Sequence, residues 1–304
     1  DIIIKPGTTI VFEPNSTLKV LGKVTAIGTK DKPIIFEGKD EKLPWNAFVL
    51  KDANANGSSF KYCTFINGSG DKGDFHEYTA MVSIHNVKDF LFEKCEFKDS
   101  QRTDDMIHIV YSSGKFKDSK FINSFADGID SDISNLIVEN SEFINSGNDA
   151  IDLMTSDAII VDTKFLNSGD KGVSIGEASR LLAINNYLEG NEIGMQAKDT
   201  SEAFVYNTTF NKNNKAVDAY HKNMRYSFGG TIHLDKSLIE NNLSNVSVGK
   251  RSKIFINDSN IDSVIDIDKN KGFKKKIKIT FEKSINMNFK DAYFKNYEYL
   301  IRDN

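Results

Sequence analysis

The stretch GNDAIDLMTSDAIIVDTKFLNSGDKGVSIGEAS, residues 147–179, says one thing twice. Asn148-Asp149-Ala150-Ile151-Asp152 is answered 22 residues later by Asp170-Lys171-Gly172-Val173-Ser174, and Phe143-Ile144-Asn145-Ser146-Gly147 by Phe165-Leu166-Asn167-Ser168-Gly169. Working outward, Phe65, Phe97, Phe121, Phe143, Phe165, Leu188 and Phe210 follow one another at intervals of 32, 24, 22, 22, 23 and 22 residues. A second apolar column, Ile107, Ile129, Ile151, Val173, Met195 and Val217, keeps a spacing of 22, with Val82 before it and Val246 and Ile265 after it. A period of this length marks a solenoid, in which each repeat is one turn that buries its apolar face against its neighbours.

The segments between turn residues are short, β-branched and alternating, as in Ile151-Asp152-Leu153 and Val173-Ser174-Ile175. Gly, Asn and Ser clusters interrupt them too often for helices. The fold expected is therefore all-β: a single-stranded right-handed parallel β-helix of about 22 residues per coil. Coils would stack at about 4.8 Å, so that equivalent side chains form ladders. The β-helix is expected over 1–270 and a capping segment over 271–304, where the period lapses and lysines and aromatics accumulate.

Two positions after the phenylalanines stand Asn67, Asp99, Asn123, Asn145 and Asn167, before the column lapses at Gly190 and Lys212. Amides suit a turn ladder, since Asn tolerates left-handed backbone and bonds its neighbours. Two positions before the phenylalanines, Cys63 and Cys95 precede Ser119, Ser141, Thr163 and Thr208. The thiols are neighbours in adjacent coils, near enough for a disulfide but with side-chain directions that need not suit one. They read as small buried residues of the stack.

With 304 residues and 39% hydrophobic content, the chain can bury a large core. Its formal charge of -4 offers no basic face for nucleic acid. No apolar run approaches the ~18–20 residues of a membrane helix, and the chain opens directly on a strand-like DIIIKPGTTIVF. No membrane span, no targeting peptide and a monomer are expected, in a secreted or cell-surface setting.

Because strand side chains alternate, inward Ile151 and Leu153 leave Asp152 pointing out, and the same holds in every coil. The outward column runs Ser83, His108, Asp130, Asp152, Ser174, Gln196 and Asp218, beside a second of Asp132, Met154, Gly176, Lys198 and Tyr220. Asp127, Asn148, Asp149 and Lys171 lie just before the strands. Asp130 and Asp152 stand about one strand spacing apart, and like charges that close raise a carboxyl pKa or recruit a cation. A solvated polar face would need neither.

In these residues the chain resembles the pectate-lyase-like superfamily of right-handed β-helices, over residues 1 to about 265, and its polygalacturonases in particular. That family carries N-T-D-G, then D-D, G-H-G and R-I-K in successive coils. The corresponding positions here read Ala126-Asp127-Gly128, Asn148-Asp149, Asp170-Lys171-Gly172 and Gln196-Ala197-Lys198. Asp127, Asp149 and Lys198 carry over. The general acid falls on Asn148, the histidine on Lys171 and the arginine on Gln196, so the family's inverting hydrolysis does not transfer intact. SDISN, GNDAIDL, GDKGVSIGEAS and AYHKNMRYSFGG also resemble a set of secreted β-helix proteins found with spore-coat-type kinase homologues, a likeness that marks Asp130, Asp152, Lys171 and Glu177 as a motif and brings no established activity.

Two functions follow. The first is a carbohydrate-active enzyme, lyase or hydrolase, acting on or binding an anionic, uronate-containing polysaccharide through coils 105–200. Asp130, Asp152, Asp149, Lys171 and His108 are its candidate catalytic groups, with Lys171, Lys198 or His108 open as the base. Asp127, Ser174, Glu177, Gln196, Lys198, Asp218, Tyr220 and Arg225 would bind substrate. Asp127, Asp130, Asp149 and Asp152 could hold Ca²⁺ through oxygen ligands. The second function is a non-catalytic surface or matrix protein that binds glycan on the same face or serves as a spacer; a fibre or adhesin is a further variant.

Overall fold

The computed structural model describes residues 1–40, 42–262 and, by backbone alone, 265–266. The expected 271–304 cap lies outside the described residues. Three parallel sheets of 11 strands each wind right-handed around one core, and every strand pairs with its equivalent one coil on. No described segment is an α-helix; a single 3-10 turn, Ala53–Ala55, occurs.

The inward column is in register throughout: Val82, Ile107, Ile129, Ile151, Val173, Met195, Val217 and Val246 pair in succession, and Val246 pairs with Ile265. In the adjoining sheet the phenylalanines stack. Ring centroids are 5.2 Å apart for Phe65–Phe97 and for Phe97–Phe121, 4.2 Å for Phe121–Phe143 and 5.1 Å for Phe143–Phe165, all nearly coplanar. The stack begins one coil earlier than the even period suggests, at Phe36, 4.3 Å from Phe65. A second stack, Phe60–Phe92–Phe116, lines the third sheet.

Turn residues behave as their chemistry requires. Asn67, Asp99, Asn123, Asn145 and Asn167 all take positive φ, between 55° and 61°. Asn123 donates to Asp99 at 2.9 Å, Asn145 to Asn123 at 3.1 Å and Asn167 to Asn145 at 3.4 Å. Gly190 and Lys212, where the amide column lapses, keep the same left-handed backbone, at φ 71° and 53°. Cys63 and Cys95 are free and buried, and the amide of Cys95 begins a hydroxyl ladder through Ser119, Ser141 and Thr163.

The 32-residue interval between Phe65 and Phe97 contains an antiparallel hairpin, Asp71–Gly73 with His76–Tyr78, inserted just before strand Ala80–His85. Tyr78 covers Ala47 and Val49 on the outer face. The insertion leaves Thr79 at the mouth of the sheet that carries the ionisable column.

Candidate functional site

The outward column exists as a physical ladder. Ser83, His108, Asp130, Asp152, Ser174, Gln196 and Asp218 are successive in-register partners along one sheet. At about 4.8 Å per coil, the seven positions span some 29 Å of surface. Asp132 pairs with Met154 and Met154 with Gly176 in the adjacent column, and Lys198 pairs with Tyr220.

A third file runs along the strand entries. Asp105 pairs with Asp127, and their successors Asp149 and Lys171 are joined through side chains. Asp127 Oδ1 accepts the Asp149 amide at 2.8 Å and the Asn148 side chain at 2.7 Å. Asp149 Oδ1 accepts the Lys171 amide at 2.9 Å and its ammonium at 3.3 Å. Each carboxylate thus ties down the next coil's backbone. Burial pushes the Asp127 carboxyl up to about 6 and that of Asp149 up to about 7, against the pull of these donors. Burial pulls the Lys171 ammonium down, but Asp149 and Asp170 outweigh it and hold it above the ordinary lysine value. Lys171 is thus held between two carboxylates.

The N-terminal end of the strip is acidic. Asp105 is 2% exposed, and its Oδ2 accepts the Thr79 hydroxyl at 2.6 Å; that hydroxyl lies 2.8 Å from His108 Nδ1. His108 Nε2 faces Asp132 Oδ2 at 3.3 Å and Asp130 Oδ2 at 3.8 Å. Burial pushes Asp105 up to about 8; it pushes Asp130 up to about 9, and Asp105, Asp132 and Asp152 add to the shift of Asp130. Behind His108, burial and the neighbouring His108 pull His85 down to about 4.

The middle of the strip is built around Lys198. Its ammonium is 3.1 Å from Ser174 Oγ and 3.8 Å from Asp152 Oδ1. A Cβ on Gly176 would come within 2.5 Å of Lys198 Cε, so the glycine makes room for the lysine stem. Asp152 Oδ1 is buried and has no hydrogen-bond partner, since Lys198 stands beyond hydrogen-bond reach. Burial raises Glu177, and Lys198 offsets part of that. Farther on, Gln196 Nε2 donates to Asp218 Oδ2 at 2.6 Å. The excursion after Tyr220 closes where the Gly230 amide donates to Tyr220 O at 2.9 Å, and Asp199 Oδ1 pins it through the Lys222 and Asn223 amides. Arg225 stands exposed in this loop, outside the register of the strip.

Two placements bear on the expected roles. Of the quartet Asp127, Asp130, Asp149 and Asp152, Asp127 and Asp149 each direct Oδ1 at a backbone amide. Among the described residues, ligand atoms within 4.8 Å of one another come from Asp105, His108 and Asp130, which shares only Asp130 with the quartet. Ser174 is wholly buried, with its hydroxyl accepting from the Lys198 ammonium at 3.1 Å. Asp105 is absent from the sequence-derived set, although it stands 22 residues before Asp127. Thr79 carried no signal, because the hairpin breaks the period immediately before it.

The model of the right-handed β-helix region matches residues 105–261, over half of the chain. No curated protein matches it in sequence. Among solved structures, the A-module of the mannuronan C-5 epimerase AlgE4 of Azotobacter vinelandii superposes with TM-score 0.60 at 11% identity, covering 90% of each chain. The catalytic domain of a GH87 alpha-1,3-glucanase in complex with tetrasaccharides superposes with TM-score 0.55 at 13% identity, over 88% of this chain and 62% of that one. At such identities these likenesses show the fold alone. The register of the coils and the matched region together place the chain in the right-handed β-helix family.

Proposed function

We propose that the outward strip binds an anionic polysaccharide along its length and acts on it by acid–base chemistry at Asp152. The observation that carries this reading is the orphaned oxygen of Asp152, buried at the centre of a charged ladder and 3.8 Å from the ammonium of Lys198. A buried carboxylate oxygen without a donor costs roughly 1–3 kcal/mol or more. A sugar hydroxyl supplies the missing donor. Lys198 and Lys171 are the counter-charges for uronate carboxylates, held in place by Ser174 and Asp149.

In a lyase, neutralising the uronate carboxylate acidifies the ring proton beside it, and a base removes that proton. With Lys171 and Lys198 engaged as counter-charges, Asp152 is the proton acceptor. In a hydrolase, Asp152 and Asp130, neighbours in register, would be the carboxyl pair. The epimerase and the glucanase, two carbohydrate-acting proteins by name, add support from the fold. No helix of the described residues is long and apolar enough to cross a membrane, in keeping with the secreted or surface setting proposed for such a substrate.

A second reading, glycan binding without turnover, draws on a specific observation: Asp127 and Asp149 bond backbone, and Gln196 and Asp218 bond each other. Uronate and neutral polysaccharides, assayed for unsaturated products and reducing ends, decide between the two. Turnover of a uronate polymer that is lost in Asp152→Asn supports the first. Binding without products supports the second, and neither binding nor turnover on any uronate polymer contradicts both.

A further inference from the structure

Thr79 links Asp105 to His108. A hydroxyl has one proton to give. With Asp105 ionised, as a metal ligand must be, Thr79 donates it to Asp105 Oδ2 at 2.6 Å, so at 2.8 Å from His108 Nδ1 the same oxygen accepts the ring N–H. The lone pair of the neutral imidazole is then on Nε2, which faces the Oδ2 atoms of Asp132 at 3.3 Å and Asp130 at 3.8 Å. A lone pair against two carboxylate oxygens is repulsive unless a proton or a metal ion stands between them. Among the described residues, no lysine or arginine is ion-paired with Asp105, Asp130 or Asp132. A second unmet group lies alongside: the Nε2 of His85 is buried without a partner, and its ring centroid is 5.4 Å from that of His108.

We propose that His108, Asp105 and Asp130 bind one divalent transition-metal ion, of the class of Zn²⁺, at the N-terminal end of the strip. Their ligand atoms already lie within 4.8 Å of one another, and Asp132 is at hand as a further oxygen. Ligands of one ion with bonds of about 2.0–2.2 Å sit some 3–4 Å apart, so the cluster closes by a small side-chain contraction. One imidazole among carboxylates selects a first-row divalent ion over Ca²⁺, which prefers six to eight oxygens. The bond from Nδ1–H to Thr79 is the outer-shell contact that orients a metal-bound histidine. Three protein ligands leave a fourth position for an outside ligand, and Asp152 is the in-register neighbour of Asp130. This inference rests on the proposed polysaccharide reading only for its purpose: the ion would take a uronate carboxylate or hydroxyl at that position.

The test is titration of the full chelator-treated chain with ZnCl₂, using calorimetry and thermal melts, with CaCl₂ as comparison. One Zn²⁺ per chain is expected, with a melting point raised by Zn²⁺ and unmoved by equal CaCl₂. His108→Ala and Asp130→Asn each weaken it at least 10-fold, whereas His233→Ala, which removes another histidine–carboxylate pair, leaves it unchanged. Circular dichroism confirms that the variants fold, and nitrogen NMR of wild type follows His108 Nε2, whose resonance moves on adding Zn²⁺. Zn²⁺ binding that survives His108→Ala, or a His108 ring that is doubly protonated at neutral pH and indifferent to Zn²⁺, overturns the proposal. Uronate binding by the metal-free chain, measured separately, shows whether the polysaccharide reading stands when the metal site fails.

Discussion

Lys198 and Asp152 face each other across 3.8 Å, two coils apart in the ladder, with Ser174 holding the ammonium from below at 3.1 Å. The lysine is buried almost completely while the carboxylate oxygen nearest it lacks a hydrogen-bond donor. On the proposed reading, a sugar hydroxyl completes this pair. Asp152→Asn removes the proton acceptor but keeps the shape, so turnover should fall by 10²-fold or more with the melting point changed by a few degrees at most. Lys198→Met removes the counter-charge, and its loss should appear mainly in KM for uronate substrates. Steady-state kinetics on both variants check this.

Buried carboxylates of the entry file give the protein a pH-dependent stability of definite sign. Asp127 and Asp149 have folded-state values raised to about 6 and about 7, so the folded state holds their protons more tightly than the unfolded chain does. Their contribution is full below the unfolded value of about 4 and is lost as pH rises through 6 to 7. From these two groups, thermal melts should show stability falling between about pH 4 and pH 7, by on the order of several kcal/mol. Asp127→Asn with Asp149→Asn should make that fall shallower, the buried Asp105 and Asp130 contributing the rest; a slope of opposite sign would show that Lys171 and the backbone donors dominate.

The asparagine ladder predicts a position-specific cost. Asn145 combines φ of 56° with bonds to Asn123 and from Asn167. Asn145→Ala should destabilise by about 1–2 kcal/mol, and Asn145→Gly by less, because glycine keeps the left-handed backbone at no steric cost. Denaturant melts of the two variants measure the difference.

Phe143 is clamped between Phe121 and Phe165 at centroid distances of 4.2 and 5.1 Å. Phe143→Ala opens a cavity that neighbouring coils, tied by backbone ladders on both sides, cannot collapse into. A loss of about 3–5 kcal/mol is expected by the same melts.

The solenoid was legible because its signal is arithmetic: Phe143 and Phe165, or Ile129 and Ile151, sit one period apart, and period fixes register. The outward strip followed from alternation alone. What the sequence hid were contacts between files. Nothing in the spacing tells that Asp127 spends its oxygen on the Asp149 amide, or that Lys198 folds over Ser174 into the space left by Gly176. Thr79 was hidden by an insertion, and Asp105 by being the first acidic member of its file, its partner one coil earlier being Ala80.

The central claim is that one outward strip is the ligand surface, and hydrogen exchange with and without an oligouronate tests it most directly. The account predicts slowed exchange confined to Asp105–Val110, Asp127–Asp132, Ile151–Met154, Lys171–Gly176 and Ile193–Lys198, and absent from that pattern in Asp152→Asn with Lys198→Met. Protection centred on either of the other two sheets, or unchanged in the double variant, would contradict it.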